Sequence, residues 1–191
     1  MNIQEIKTRD ERSKKFIFIP FCLICQAFRA QGIVRYGYSA VIKPIIEEIL
    51  RHEINIIQMP CPESQLGSYE QSLKREPKGI EQYDRPEFRE ICHRLASKTV
   101  QMIKGILANG YEIIAILGVE YSPSCATKIQ HSSRGALHRP GLYIEALKIQ
   151  LAKEKIEIPF LGINQREIKN SLSELRKLLS QQKESNLIST C

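Results

Sequence analysis

Two spacings of apolar residues divide the chain. Residues 16–21, 54–59, 112–118 and 158–163 are near-continuous apolar runs. Such runs predict strands covered on both faces, the pattern of a parallel sheet. Between them the spacing becomes helical. Ile42, Ile45, Ile46, Ile49 and Leu50 share one helical face, with Ser39 as the expected cap and Pro44 in the first turn. Phe88, Ile91, Cys92, Leu95, Ile103, Ile106 and Leu107 mark a long second helix that Asn109-Gly110 ends. Pro140-Gly141 opens a third, with Tyr143, Ala146, Leu147 and Leu151 facing inward. A fourth carries Ile168, Leu172, Leu175 and Leu179.

Alternating strands and helices predict right-handed βαβ crossovers. The expected fold is α/β: a single three-layer αβα domain with a mainly parallel sheet, Rossmann-like. It should occupy residues 16–181, after a charged N-terminal segment (1–15) and before a flexible C-terminal tail (182–191). Two connections are too long for mere linkage, one from Cys61 to about Pro86 and one from Val119 to about Arg139. Long connections in compact domains are commonly functional. Both leave the C-terminal ends of strands, where open parallel sheets bind ligands.

Composition changes this picture little. Of 191 residues, 42% are hydrophobic and 26% charged, which is ordinary for a globular domain. No apolar run is long enough to span a bilayer. The opening stretch MNIQEIKTRDERSKK has no apolar leader core, so a cytoplasmic protein without membrane attachment is expected. The net charge of +7 admits acidic partners, but Lys and Arg interleave with Glu, as in LAKEKIEI. That pattern favours a solvated surface over a nucleic-acid face.

The cysteines carry more. Cys22 follows the first strand, Cys61 the second and Cys125 the third. Neighbouring strands lie about 4.8 Å apart, so three parallel strands can deliver three thiols to one site. Glu63, Glu120, Ser122 and Ser124 crowd the same strand ends. Structural zinc sites use short Cys or His spacings and a fourth ligand, which His52, His93, His131 and His138 do not supply. An iron–sulfur cluster suits soft thiolates better, and three of them would leave one iron open. Cys22-Leu-Ile-Cys25 also admits a thioredoxin-like oxidoreductase. A non-catalytic iron–sulfur or thiol sensor is a further alternative. Cys92 falls on the apolar face of its helix and is expected in the core, and Cys191 lies in the tail.

The stretches FCLICQAFRAQGIVRYG, IIQMPCPESQLG, EQYDRPEFREIC and GVEYSPSC, in this order, resemble the thiouracil desulfidase family and its relatives. The similarity runs from about Phe16 to Ile163. It implies a [4Fe-4S] cluster held by Cys22, Cys61 and Cys125, with Glu63 as the catalytic carboxylate and Ser122 as a hydroxyl that relays protons or positions substrate. The implied reaction replaces the sulfur of a small thiolated heterocycle with oxygen from water, without net redox change. Arg35, Glu120 and Ser124 are the candidate substrate contacts. Ala126 stands where the family commonly has glycine, and the segment up to Arg139 has no residue-by-residue match.

Overall fold

The computed structural model describes residues 11–188, with side chains described as far as residue 181. Strands β1 (Lys15–Pro20), β2 (Asn55–Met59) and β3 (Glu112–Val119) appear where the apolar runs predict them. Between them lie the short helix α1 (Phe21–Ile24) and helices α2 (Lys43–Arg51), α3 (Tyr69–Leu73) and α4 (Pro86–Ala108). The hairpin β4 (Gln130–Ser132) and β5 (Gly135–Leu137) follows β3. Helix α5 (Leu142–Lys153), strand β6 (Phe160–Ile163) and helix α6 (Ile168–Ile188) complete the chain.

The main sheet has the order β2-β1-β3-β6, and every neighbouring pair is parallel. Alternate side chains of β1 enter two cores. Ile17 and Ile19 join Ile42, Ile45 and Ile49 of the α2 segment and Leu175 and Leu179 of α6 on one face. Phe18 joins Phe88, Leu95 and Ile103 of α4 and Tyr143 and Leu147 of α5 on the other. Two helical layers therefore enclose the sheet, giving the three-layer Rossmann-like α/β fold.

The order reverses at β1. The chain moves from β1 to β2 on one side, then returns past β1 to β3 on the other. Such a reversal parts the connections above the C-terminal ends of the central strands and leaves a crevice there. The loops after β1 and β3 border that crevice, and the loop after β2 closes one end.

Several local expectations are corrected. Helix α2 begins at Lys43, with Ile42 rather than Ser39 at its cap position. Backbone bonds from Gln26 N to Ala40 O and from Ile42 N to Leu23 O hold residues 40–42 against α1, so helical geometry starts later. Leu50 is exposed because Ile42, Ile45 and Ile49 already form the buried stripe. Leu107 is exposed in the last turn of α4. Between Val119 and Arg139, where a loop was expected, the chain forms the β4–β5 hairpin. The expected tail at 182–191 begins as helix, since α6 continues to Ile188, and Cys191 lies outside the described residues. The expected N-terminal segment 1–15 overlaps β1 at Lys15, and its first ten residues also lie outside.

Two glycines fit the fold to the crevice. A β-carbon on Gly118 would stand 2.4 Å from Cys125 O, and one on Gly141 would stand 2.4 Å from the backbone carbon of Ser124. The 122–125 loop is thus held between the end of β3 and the start of α5. Overpacking of this kind typically costs about 1–3 kcal/mol. Gly141→Ala is expected to lose that much in urea unfolding. An unchanged unfolding midpoint would show that the loop has room to shift.

Candidate functional site

The crevice is a cavity of about 520 Å³. Cys22 lines it from α1, Cys61 from the turn after β2, and Cys125 from the loop after β3. The reversed strand order thus brings the three strand-end thiols to one cavity. None is in a disulfide. Cys25 is not among the lining residues; it closes α1, its N–H bonded to Phe21 O at 3.0 Å. Cys92 is buried in the core as expected.

Burial pushes the Cys22 thiol up to about 12, and the neighbouring Cys61 and Glu63 add to it against the opposing pull of Arg29 and Arg75. Cys61 and Cys125 are also raised, mainly by burial, and Cys125 further by the other two cysteines. Three thiolates here would be desolvated and mutually repelling. Among the described residues, no three His, Cys, Asp or Glu side chains gather closely enough to hold a single metal ion. The three thiols are the soft donors that the cavity offers.

The loop after β3 folds back on itself. Tyr121 takes a left-handed conformation (φ 66°), which reverses the chain immediately before Ser122. The Ser122 hydroxyl accepts from the backbone N–H groups of Cys125 (3.0 Å) and Ser124 (3.3 Å). This turn aims Ser124 at the segment after β2, where its hydroxyl donates to Glu63 Oε1 at 2.6 Å. Ser124 has one hydroxyl proton, so while it donates that proton's bond to Glu63 its 3.2 Å contact with Ser122 is made as acceptor. The result is a hydroxyl chain from Ser122 through Ser124 to Glu63.

Glu63 Oε2 accepts from Tyr83 OH at 3.3 Å and lies 3.1 Å from Arg75 Nε. The Arg75 Nε–H has no hydrogen-bond partner, so that pair is a charge contact. Burial, reinforced by Glu63, raises the Tyr83 phenol and keeps it a donor.

The other predicted contacts divide. Arg35 lines the cavity on the exposed 32–37 segment, beside Tyr36, whose side chain is fully exposed. Glu120 borders the cavity but its carboxylate is engaged elsewhere. It accepts from Thr127 Oγ1 (2.6 Å) and from the N–H groups of Thr127 (3.3 Å), Lys128 (3.4 Å) and Ile129 (2.8 Å). Glu120 thus organises its own loop while it lines the cavity. His131 lines the cavity, whereas His52 lies 3.5 Å from Glu48 at the end of α2.

Sequence reasoning missed Arg29, Arg75, Tyr83, Gln165 and Arg166, all of which line the cavity. Arg75 and Tyr83 lie in the long connection after β2, where alternating charges read as solvated surface. Gln165 and Arg166 follow β6, a strand end that carries no cysteine to mark it. Burial lowers the Arg29 pKa, as do Arg35 and Arg166 against the pull of Cys22 and Glu63. With Glu63 and Glu120 both engaged, these arginines and Lys78 make the cavity cationic.

The chain is 29% identical over 169 residues to an uncharacterized protein of Methanocaldococcus jannaschii, covering 88% of this chain and 99% of that protein. No family model and no solved structure matches the chain.

Removing the Glu120 carboxylate strips acceptors from three backbone N–H groups, which typically costs about 1–3 kcal/mol. Glu120→Ala is expected to lose stability by that amount in denaturant unfolding. Arg35→Ala, on the exposed segment, should stay within about 0.5 kcal/mol of wild type. Equal stability of the two variants would show that the loop does not depend on Glu120.

Proposed function

We propose that this protein is an iron–sulfur-dependent desulfidase acting on a small thiolated heterocycle, with a [4Fe-4S] cluster held by Cys22, Cys61 and Cys125. The observation that carries this reading is a strand-end cavity lined by three free thiols and a carboxylate at the end of a hydroxyl chain. The motif resemblance to thiouracil desulfidases supports it. Cluster thiolates each bind a different iron, so they need not gather as tightly as the ligands of one ion. A cationic iron–sulfur core would offset the repulsion among three desolvated thiolates. When bound, it would supply an open Lewis-acidic iron with affinity for sulfur.

The chain's own residues supply the rest. Water attacks the thiocarbonyl carbon, a C–O bond forms, and the C–S bond breaks. Sulfur leaves as sulfide, and the protons lost by water balance those gained by sulfide, so no electron donor is needed. Glu63 takes a proton from water. Tyr83 and Ser124 hold its two oxygens by donating to them, and Ser122, donating to Ser124, orients that hydroxyl. Arg29, Arg35 and Arg166 favour a substrate that carries negative charge, which they attract at the cavity wall.

Anaerobic loading with iron and sulfide tests the proposal. The Cys22→Ala, Cys61→Ala and Cys125→Ala variants are expected to lose the cluster, and Cys25→Ala to keep it. Full iron and sulfide content in the three ligand variants would end the cluster assignment. In sulfide release from a thiouracil-like compound, Glu63→Gln should keep the cluster and fall by about 10²–10⁴-fold. Ser122→Ala should fall by less, because its hydroxyl carries no charge and acts on Glu63 only through Ser124. Wild-type rates in Glu63→Gln would remove the carboxylate from the reaction.

A further inference from the structure

Arg75 belongs to none of the motifs. It follows α3, yet its side chain reaches three separate stretches of the chain, at Phe28, Glu63 and Ser72. Its Nη1 donates to Ser72 O at 3.2 Å and its Nη2 donates to Phe28 O. Its Nε stands 3.1 Å from Glu63 Oε2. Its own backbone carbonyl accepts from Gln31 N at 2.9 Å. The side chains of Arg75 and Glu63 are only 13% and 11% exposed, so the pair is largely removed from solvent.

We propose that Arg75 is the positioning residue for Glu63: anchored on the carbonyls of Phe28 and Ser72, its guanidinium holds the carboxylate at the cavity wall beside Cys61. This rests on the reading that Glu63 is the general base. The physical case is one of rigidity and charge. A guanidinium is planar, and two of its nitrogens are fixed on backbone oxygens, so the position of the third is determined. The charge contact thereby fixes where the carboxylate stands, and Ser124 and Tyr83, donating from other directions, orient it. A lysine could supply the charge but not the fork. Arg75 also joins the base of the 29–37 segment to Glu63 through Phe28 and Gln31, so both walls of the cavity share one anchor. Small misplacements of a catalytic group are costly, and 1 Å can lose about 10²-fold.

The test uses cluster-loaded full-length protein and two variants, Arg75→Met and Arg75→Lys. Both are expected to keep their iron and sulfide content. In sulfide release, kcat should fall by up to about 10²-fold in Arg75→Met and by less in Arg75→Lys, with KM close to wild type. An unchanged kcat, or a change confined to KM, would overturn the proposal. A second readout is independent of turnover. Melting temperatures of wild type, Arg75→Met, Glu63→Gln and the double variant form a cycle. Arg75→Met should lower the melting temperature of wild type more than that of Glu63→Gln. Equal decrements would overturn the pairing even if turnover were lost. If Arg75→Met does not fold, Arg75→Lys completes both measurements. A wild type that releases no sulfide would count against the desulfidase reading, and the cycle would still decide whether Arg75 holds Glu63.

Discussion

The reversal of strand order at β1 is the constraint on which everything else depends. A right-handed crossover on each face sends the chain to β2 on one side and to β3 on the other. No helix can cover the ground between those departures at the C-terminal end of the sheet. The cavity is therefore a product of topology before any side chain is chosen. Its chemistry comes from residues placed within a few positions of the strand ends, where the direction of the chain is already fixed by the ladder. Cys22, Cys61 and Cys125 gain their convergence in this way, and Glu63 is carried in by the same turn as Cys61.

The electrostatics of the cavity follow from its depth. Burial favours neutral thiols, and their mutual proximity adds to that preference. The cations on the wall oppose it only in part. Arg75 is committed to Glu63, whereas Arg29, bonded to Gln165, is the cation that pulls most on the Cys22 thiol.

The main sheet was legible because a strand buried on both faces must be apolar almost throughout, and β1 and β3 are. The thiols were legible because cysteine is rare enough for three coincident strand ends to carry information. The hairpin was not legible: Gln130-His-Ser and Gly135-Ala-Leu are three residues each and show no alternation. The role of Glu120 was hidden for a different reason. A carboxylate beside a strand end reads the same whether it faces a ligand or accepts from its own loop, and only the backbone path of residues 127–129 decides. Arg75 and Tyr83 share a connection with Glu63, but no periodicity marks a pairing across so irregular a stretch. Pattern reading recovers what local periodicity encodes and misses contacts made within and between connections.

The clamping of the 122–125 loop between Gly118 and Gly141 makes the two sides of the cavity unequal. On one side, backbone meets backbone with no room for a methyl group, so that wall cannot yield to a larger guest. On the other, residues 32–37 run between Gly32 and Gly37, both at positive φ with open space around them, and Ile33, Val34 and Tyr36 remain exposed. The rigid side fixes where Ser124 and Cys125 stand, whereas residues 32–37 can be rewritten without moving them, so the mouth of the cavity can diverge while its floor is kept.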